Sequence, residues 1–201
     1  DNLNNLTPEV FAEAKRIASR YTTGPLYTPP TVATDDNLGT LVSLTPGGGG
    51  NWQGAVADPE TGLMYVSSTS SVSVVGLMSD PDRSNMNYVI NRATLEGPFG
   101  LPLTRPPWGR ITAIDLSTGE IAWVIANGDT PKDVRTHEKL QGVDLPRTGH
   151  EGRAGLLVTK SLLFAGEGAG LYVATQGGTK FRAHDKQSGE ILAEIDLGAR
   201  Q

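Results

Sequence analysis

The chain has 201 residues, a net charge of −5 and no cysteine, with 37% hydrophobic and 19% charged residues. That length allows one large domain or two small ones, and the negative balance argues against a nucleic-acid backbone as the main partner. Disulfides and thiolate metal sites are excluded, no run of about 18 apolar residues offers a membrane span, and no cationic, apolar leader opens the sequence, so a mature or excised piece is the expectation.

Residues 6–21 read as a helix. Thr7 suits the N-cap, Pro8 the first helical position and Glu9 the positive end of the helix dipole. Val10, Phe11, Ala14, Ile17, Ala18 and Tyr21 recur at helical spacing, a face that packs on the rest of the fold or, as the alternative, receives a partner. Pro25, Pro29 and Pro30 then hold residues 24–37 extended, as an ordered crossing segment. A short strand follows over residues 40–44.

Four glycines, Gly47 to Gly50, lead into Asn51 and Trp52. Such a run is costly to order, which leaves two readings: a flexible turn between sheets, or backbone that must pass close to something flat or bulky. A phosphate loop is not supported, because no Gly-Lys-Ser/Thr follows. The Asn-Trp pair favours the second reading. Strands are expected over residues 54–57 and 63–68, joined by an Asp-Pro-Glu-Thr-Gly turn.

Residues 79–109 form a long insertion rich in Asp, Asn, Pro and Gly, expected to be irregular and functional or capping. Arg83, Arg92 and Arg105 lie in it; solvated surface cations are the simpler reading, an anion contact the sharper one. A second insertion, 127–154, carries His137 and His150. Neither has a second His at helical spacing, and with His184 alone remaining no three-ligand metal set emerges.

The most informative stretch runs from Ala113 to Trp123, read as a strand (110–115), a tight turn and a returning strand (120–125). Asp115 accepts backbone N–H bonds in the turn and Gly119 supplies a positive φ. Seventy residues on, Ala183, Asp185, Gly189, Glu190 and Ile191 repeat it in register, with Ser188 for Thr118 and Ala193 for Trp123. Strands are also expected over 156–160, 162–165, 171–175 and 180–185. Gly166 to Gly170 resembles a dinucleotide fingerprint but leads into a strand, and reads as a strand-to-strand turn. A hairpin repeated at long spacing points to small sheets arranged as a propeller. The expected organisation is a helix and crossing segment over residues 1–45, packed on blades over 46–201, with loop insertions at 79–109 and 127–154.

Taken together, Leu6-Thr7-Pro8-Glu9, the Gly24 to Pro30 segment, Gly48-Gly49-Gly50-Asn51-Trp52, Asp58 to Val66 and Ala113 to Trp123 resemble the C-terminal part of quinoprotein dehydrogenases. The likeness is to the membrane-bound glucose and quinate dehydrogenase type, which uses pyrroloquinoline quinone (PQQ), and Gly152 to Gly168 and Phe181 to Gly198 carry it to the end of the sequence. What the resemblance implies is an all-β fold: about half of an eight-bladed β-propeller, with one helix near the N-terminus. Ala113, Asp115, Thr118, Gly119 and Trp123 match the family's blade-docking pattern, and Asn51 and Trp52 its cofactor-binding pair beside PQQ. An amide can hydrogen-bond a quinone oxygen, and an indole can pack on the ring system.

The implied activity is oxidation of a sugar or alcohol, with electrons passed to a quinone or cytochrome acceptor at the periplasmic side of a bacterial cell envelope. The family's Ca²⁺ ligands and catalytic Asp come from blades upstream of the matched region, so no catalytic or metal residue is assigned here. Asp58 and Asp115 fit by type alone and read as turn residues. The chain is therefore expected to be a fragment or truncated product, inactive in isolation, whose partners are the remaining blades or a second copy. Two alternatives stay open: a non-catalytic propeller segment serving binding or assembly, and a small complete all-β protein whose likeness is only repeat-deep.

Overall fold

The computed structural model describes residues 2–25, 27–43, 49–50, 54–91, 93–168 and 177–199. In chain order come helix α1 (Pro8–Ala18) and strands β1 (Thr31–Val32), β2 (Thr40–Ser43), β3 (Ala55–Asp58), β4 (Leu63–Thr69), β5 (Val72–Met78) and β6 (Val89–Asn91). Then follow β7 (Gly109–Asp115), β8 (Ile121–Ala126), the single-turn helix α2 (Lys132–Arg135), β9 (Leu156–Val158), β10 (Leu162–Gly166), β11 (Lys180–Asp185) and β12 (Ile191–Asp196). Strand dominates, in three four-stranded sheets. The chain divides into two compact units: Asp1–Gly47, Ser71–Arg105 and His137–Val143 form one; Gly48–Ser70, Pro106–Thr136 and Asp144–Gln201 form the other.

In the first unit, α1 starts where its sequence says it must. The Thr7 hydroxyl accepts the Val10 N–H at 3.1 Å, and Val10 and Ala14 are fully buried on the inner stripe. The helix lies against a 3₁₀ turn at Pro98–Gly100, and Lys139 joins the two by an ion pair to Glu9 at 2.7 Å and by its position over the Phe99 ring. The sheet of this unit centres on β5, which pairs antiparallel with β2 and β6 and parallel with β1. The crossing segment supplies β1, whose Thr31 N–H donates to Thr40 Oγ1 at 3.1 Å. Strand β5 has no reading at the sequence level, because Ser73 and Gly76 interrupt its apolar run. The glycine this pairing requires is Gly39, opposite Gly76: its φ is 124° and a Cβ there would lie 3.0 Å from the Gly76 Cα, whereas a Cβ at Gly76 would make ordinary contact with the Ala33 Cβ at 3.4 Å. Strand β6 sits inside the segment expected to be irregular.

The second unit contains two antiparallel meanders, β3-β4-β7-β8 and β9-β10-β11-β12. Their hairpins bear out the internal repeat atom by atom. Asp115 O accepts the Gly119 N–H at 2.7 Å and Asp185 O the Gly189 N–H at 2.9 Å, while Oδ1 of each Asp takes N–H bonds within its turn. Gly119 and Gly189 have φ of 76° and 77°. The ladder slips by one residue in both copies, between Ala113 and Ile114 and between Ala183 and His184.

The two meanders pack face to face. Tyr65, Ile111 and Ala113 of the first are fully buried against Leu163 and Ala165 of the second, flanked by Val56, Trp123, Ile125, Leu156 and Val158. Trp123 lies 5.7 Å from the Tyr65 ring, centroid to centroid, and over the turn of the repeated hairpin: a Cβ at Gly189 would come within 3.1 Å of its Cε3. The expected strand at 171–175 lies outside the described residues.

Candidate functional site

At one end of the second unit β4, β8 and β10 finish and β3, β7 and β11 begin, so the longest loops converge there. Asn51 and Trp52 precede β3 by a few residues in sequence and lie outside the described residues. Beside them, Gly49 accepts the Thr69 N–H at 2.8 Å, which ties the glycine run to the end of β4. Among the described residues, a Cβ at Gly50 would meet nothing closer than the Ser67 carbonyl at 3.9 Å.

The same end holds a charge network, built around the buried pair Arg182 and Glu167, that was not legible in the sequence. Arg182, on β11 and almost fully buried, donates to Glu167 Oε1 at 2.6 Å, Asp129 Oδ1 at 2.9 Å and Glu194 Oε2 at 3.1 Å. Lys180 bridges Asp129 and Glu194, both at 2.8 Å, and Arg147 stands 3.6 Å from Asp129. Glu167 also accepts the backbone N–H groups of Asp129 and Lys180, at 3.2 and 3.1 Å. Three carboxylates thus face three permanent cations. Burial alone would raise the Glu167 carboxyl; the His150 ring 3.8 Å away, the Lys180 N–H and Arg182 outweigh it and hold it at about 2. The one sequence signal was a Lys and an Arg two apart on a strand, hence on one face, with Glu194 across from Arg182.

His150 completes this cluster. A Cβ at Gly128 or Gly178 would strike its ring, and its Nδ1 is buried without a hydrogen-bond partner among the described residues. The other sequence candidates stand elsewhere. His137 Nε2 faces the Phe99 carbonyl at 3.0 Å, in the first unit. His184 Nδ1 meets the Gly189 carbonyl at 3.0 Å, and burial pushes the imidazole pKa down. Arg83 faces Asp80 on the surface, and Arg92 lies outside the described residues. Asp115 holds its turn. Asp58 pairs with Lys186 at 2.5 Å and accepts from Thr61 Oγ1 at 2.7 Å, which keeps its carboxyl at about 2. Among the described residues no three His, Asp or Glu side chains gather as a metal site.

An acid-stability prediction arises here. Glu167 and Asp58 sit at about 2 against ordinary values of 4.5 and 3.8. Groups depressed on folding add stability above their unfolded pKa and lose it as pH falls towards the folded one. The urea midpoint is therefore expected to hold above about pH 5 and to drop steadily from there to about pH 2. In the Asp58→Asn/Glu167→Gln double variant the drop should be shallower; an unchanged profile would contradict the assignment.

The family model described as "PQQ: Glucose/ethanol/alcohol dehydrogenase, beta-propeller domain" matches residues 1–201. The chain belongs to this family. A 36-residue stretch is 53% identical to the quinoprotein glucose dehydrogenase of Escherichia coli K12, covering 18% of this chain and 4% of that protein. Two solved quinohemoprotein alcohol dehydrogenases are similar. The one from Pseudomonas putida HK5 gives a TM-score of 0.44 at 18% identity, over 79% of this chain and 20% of its own. The one from Comamonas testosteroni gives 0.43 at 20% identity, over 80% and 21%. The chain thus spans about a fifth of the length of those structures.

Gly50, beside the end of β4, leaves room among the described residues for a flat group such as PQQ; Asn51 and Trp52, the pair expected to hold it, lie outside them. Arg147, Lys180 and Arg182 all face carboxylates, so the cofactor's own carboxylates would find no uncommitted partner among these three.

Proposed function

We propose that the chain builds part of the propeller of a PQQ-dependent dehydrogenase that oxidises a sugar or alcohol and hands electrons to a quinone or cytochrome acceptor. Residues 46–201 supply sheets, and the setting is the periplasmic face of a bacterial envelope. The observation that carries this reading is the family match across all 201 residues. When bound, PQQ is the group that takes the two electrons of the alcohol carbon. The residues of this chain that would hold it are Asn51, whose amide would orient a quinone oxygen, and Trp52, whose indole would cover the ring system, with the glycine run letting backbone come close. Ca²⁺ ligands and the catalytic base are expected outside the chain. A second reading, a non-catalytic segment serving assembly, is favoured by the closed pairing of the charge network.

Asn51→Ala removes one directed hydrogen bond, about 0.5–1.5 kcal/mol if neutral, so about two- to tenfold more PQQ should be needed for full turnover. Trp52→Ala strips contact area and should weaken retention further. Titrating turnover with PQQ in the dehydrogenase that carries the chain checks both. Identical titration curves for wild type and both variants would remove the site. Sugar or alcohol oxidation by the isolated 201 residues would show the chemistry to be misplaced.

A further inference from the structure

Glu167 does two jobs at the loop end of the second unit. It pairs with Arg182 through Oε1, as Glu194 does through its Oε2. It also accepts backbone N–H groups, Asp129 at 3.2 Å on Oε1 and Lys180 at 3.1 Å on Oε2, whereas the Glu194 carboxylate meets the side chains of Lys180 and Arg182 among the described residues. Asp129 follows β8 on the first meander and Lys180 opens β11 on the second, so one buried carboxylate ties loops of both sheets. His150 brings in a third loop, the one that enters β9. Its N–H donates to the Asn127 carbonyl at 3.2 Å, its ring stands 3.8 Å from Glu167 Oε2, and the next residue, Glu151, accepts the Gly177 N–H at 3.0 Å. Gly128 and Gly178 leave the room that the ring fills. Both sheets joined by this clamp belong to the chain.

The repeat separates the clamp from the scaffold. Counting from the paired rows Val56-Tyr65-Ala113 and Leu157-Phe164-Ala183, Ser68 stands where Glu167 does, Gly49 where His150 does and Thr112 where Arg182 does. The first meander forms the same four-stranded sheet without any of the three, so the sheet itself does not need them. The same count sets Gly152 and Arg153, in the loop that His150 anchors, at the places of Asn51 and Trp52. The register carries that far: a Cβ at Gly168, opposite Arg153, would lie 2.6 Å from the Arg153 carbonyl carbon. The clamp thus fixes the counterpart of the Asn51–Trp52 loop in the neighbouring sheet. We propose that Glu167 and His150 are positioning residues for the oxidation, holding residues 127–131, 149–154 and 177–180 as one rigid rim beside the reacting group. This rests on the PQQ reading above, because the rim serves a reaction only if the cofactor lies at this end.

Glu167→Gln and Glu194→Gln, made in the dehydrogenase that carries the chain, separate the two jobs. Each takes one carboxylate from Arg182. Only Glu167→Gln opens the clamp: whichever way the amide turns, its NH₂ faces the Asp129 or the Lys180 N–H, and one of them loses its acceptor. Hydrogen exchange of the cofactor-free enzyme should quicken at least about tenfold at Asp129 or Lys180 and across residues 149–154 in Glu167→Gln, and stay as in wild type in Glu194→Gln. At saturating PQQ and substrate, kcat should fall at least about tenfold in Glu167→Gln, as misplacement of a reacting geometry does, and stay within about twofold in Glu194→Gln. Gly178→Ala keeps every charge while its Cβ displaces the Glu167 carboxylate and the His150 ring, so it should reproduce both effects. His150→Ala should loosen residues 149–154 and lower kcat; no effect on either would overturn the role of His150. Unchanged exchange in Glu167→Gln and Gly178→Ala would overturn the clamp, and so would faster exchange spread evenly through the strands. Faster loop exchange with an unchanged kcat would overturn positioning, as would equal losses of kcat in Glu167→Gln and Glu194→Gln, because charge alone would then explain them. The exchange measurement needs no cofactor, so failure of the PQQ reading shows separately, as turnover that does not depend on PQQ.

Discussion

Trp123→Ala is expected to lower the unfolding free energy by about 3–5 kcal/mol, the range for deleting a large aromatic from a packed core. The indole spans the contact between the two meanders, beside Tyr65 and over Gly189. Its loss opens a cavity on both sides of that contact. Gly189→Ala should destabilise through the same contact, since its φ of 77° strains a side chain and the added Cβ meets Ile125 at 2.9 Å. Ala193, the repeat's counterpart of Trp123, should tolerate Ala193→Gly at far lower cost. Urea denaturation of the three variants checks this; equal, small losses at Trp123 and Ala193 would deny the docking role.

Arg182→Ala is the second large effect, again about 3–5 kcal/mol, because removing one partner of a buried pair strands the other. Glu167 would lose its guanidinium while remaining 4% exposed. Burial would then push its carboxyl up, so the penalty should be greatest near neutral pH and shrink as protonation removes the stranded charge. Pairing Arg182→Met with Glu167→Gln should recover much of the loss. Denaturation midpoints at about pH 7 and about pH 4.5 decide it: a penalty independent of pH, with no recovery in the double variant, would mean that the network adds nothing beyond packing.

Elements governed by local rules were legible in the sequence. The helix has its own cap, and both hairpins carry an Asp and a Gly at the places their turns demand. The blade repeat followed from those hairpins, and the family from the order of the motifs. Strand β5 was not legible, because Ser73 and Gly76 break its apolar run and its pairing with β1, β2 and β6 is set by neighbours in space rather than in sequence. The charge network was hidden for a related reason. Glu167 lies between two glycines in what reads as a plain turn, and its partners Asp129 and Arg182 stand 38 and 15 residues away. Periodicity reports which face a residue takes, whereas pairing across loops needs the fold itself. The cofactor pair is the reverse case, named by motif and by family resemblance alone.

Asn51 and Trp52 are proposed to form a wall of the PQQ site. Its most direct measurement is equilibrium dialysis of PQQ, with Ca²⁺ present, against the dehydrogenase carrying this chain and its Asn51→Ala/Trp52→Ala double variant. The account predicts at least about a tenfold weaker dissociation constant, about 1.4 kcal/mol, with the circular dichroism spectrum and urea midpoint preserved. Equal affinity in the two proteins would contradict it.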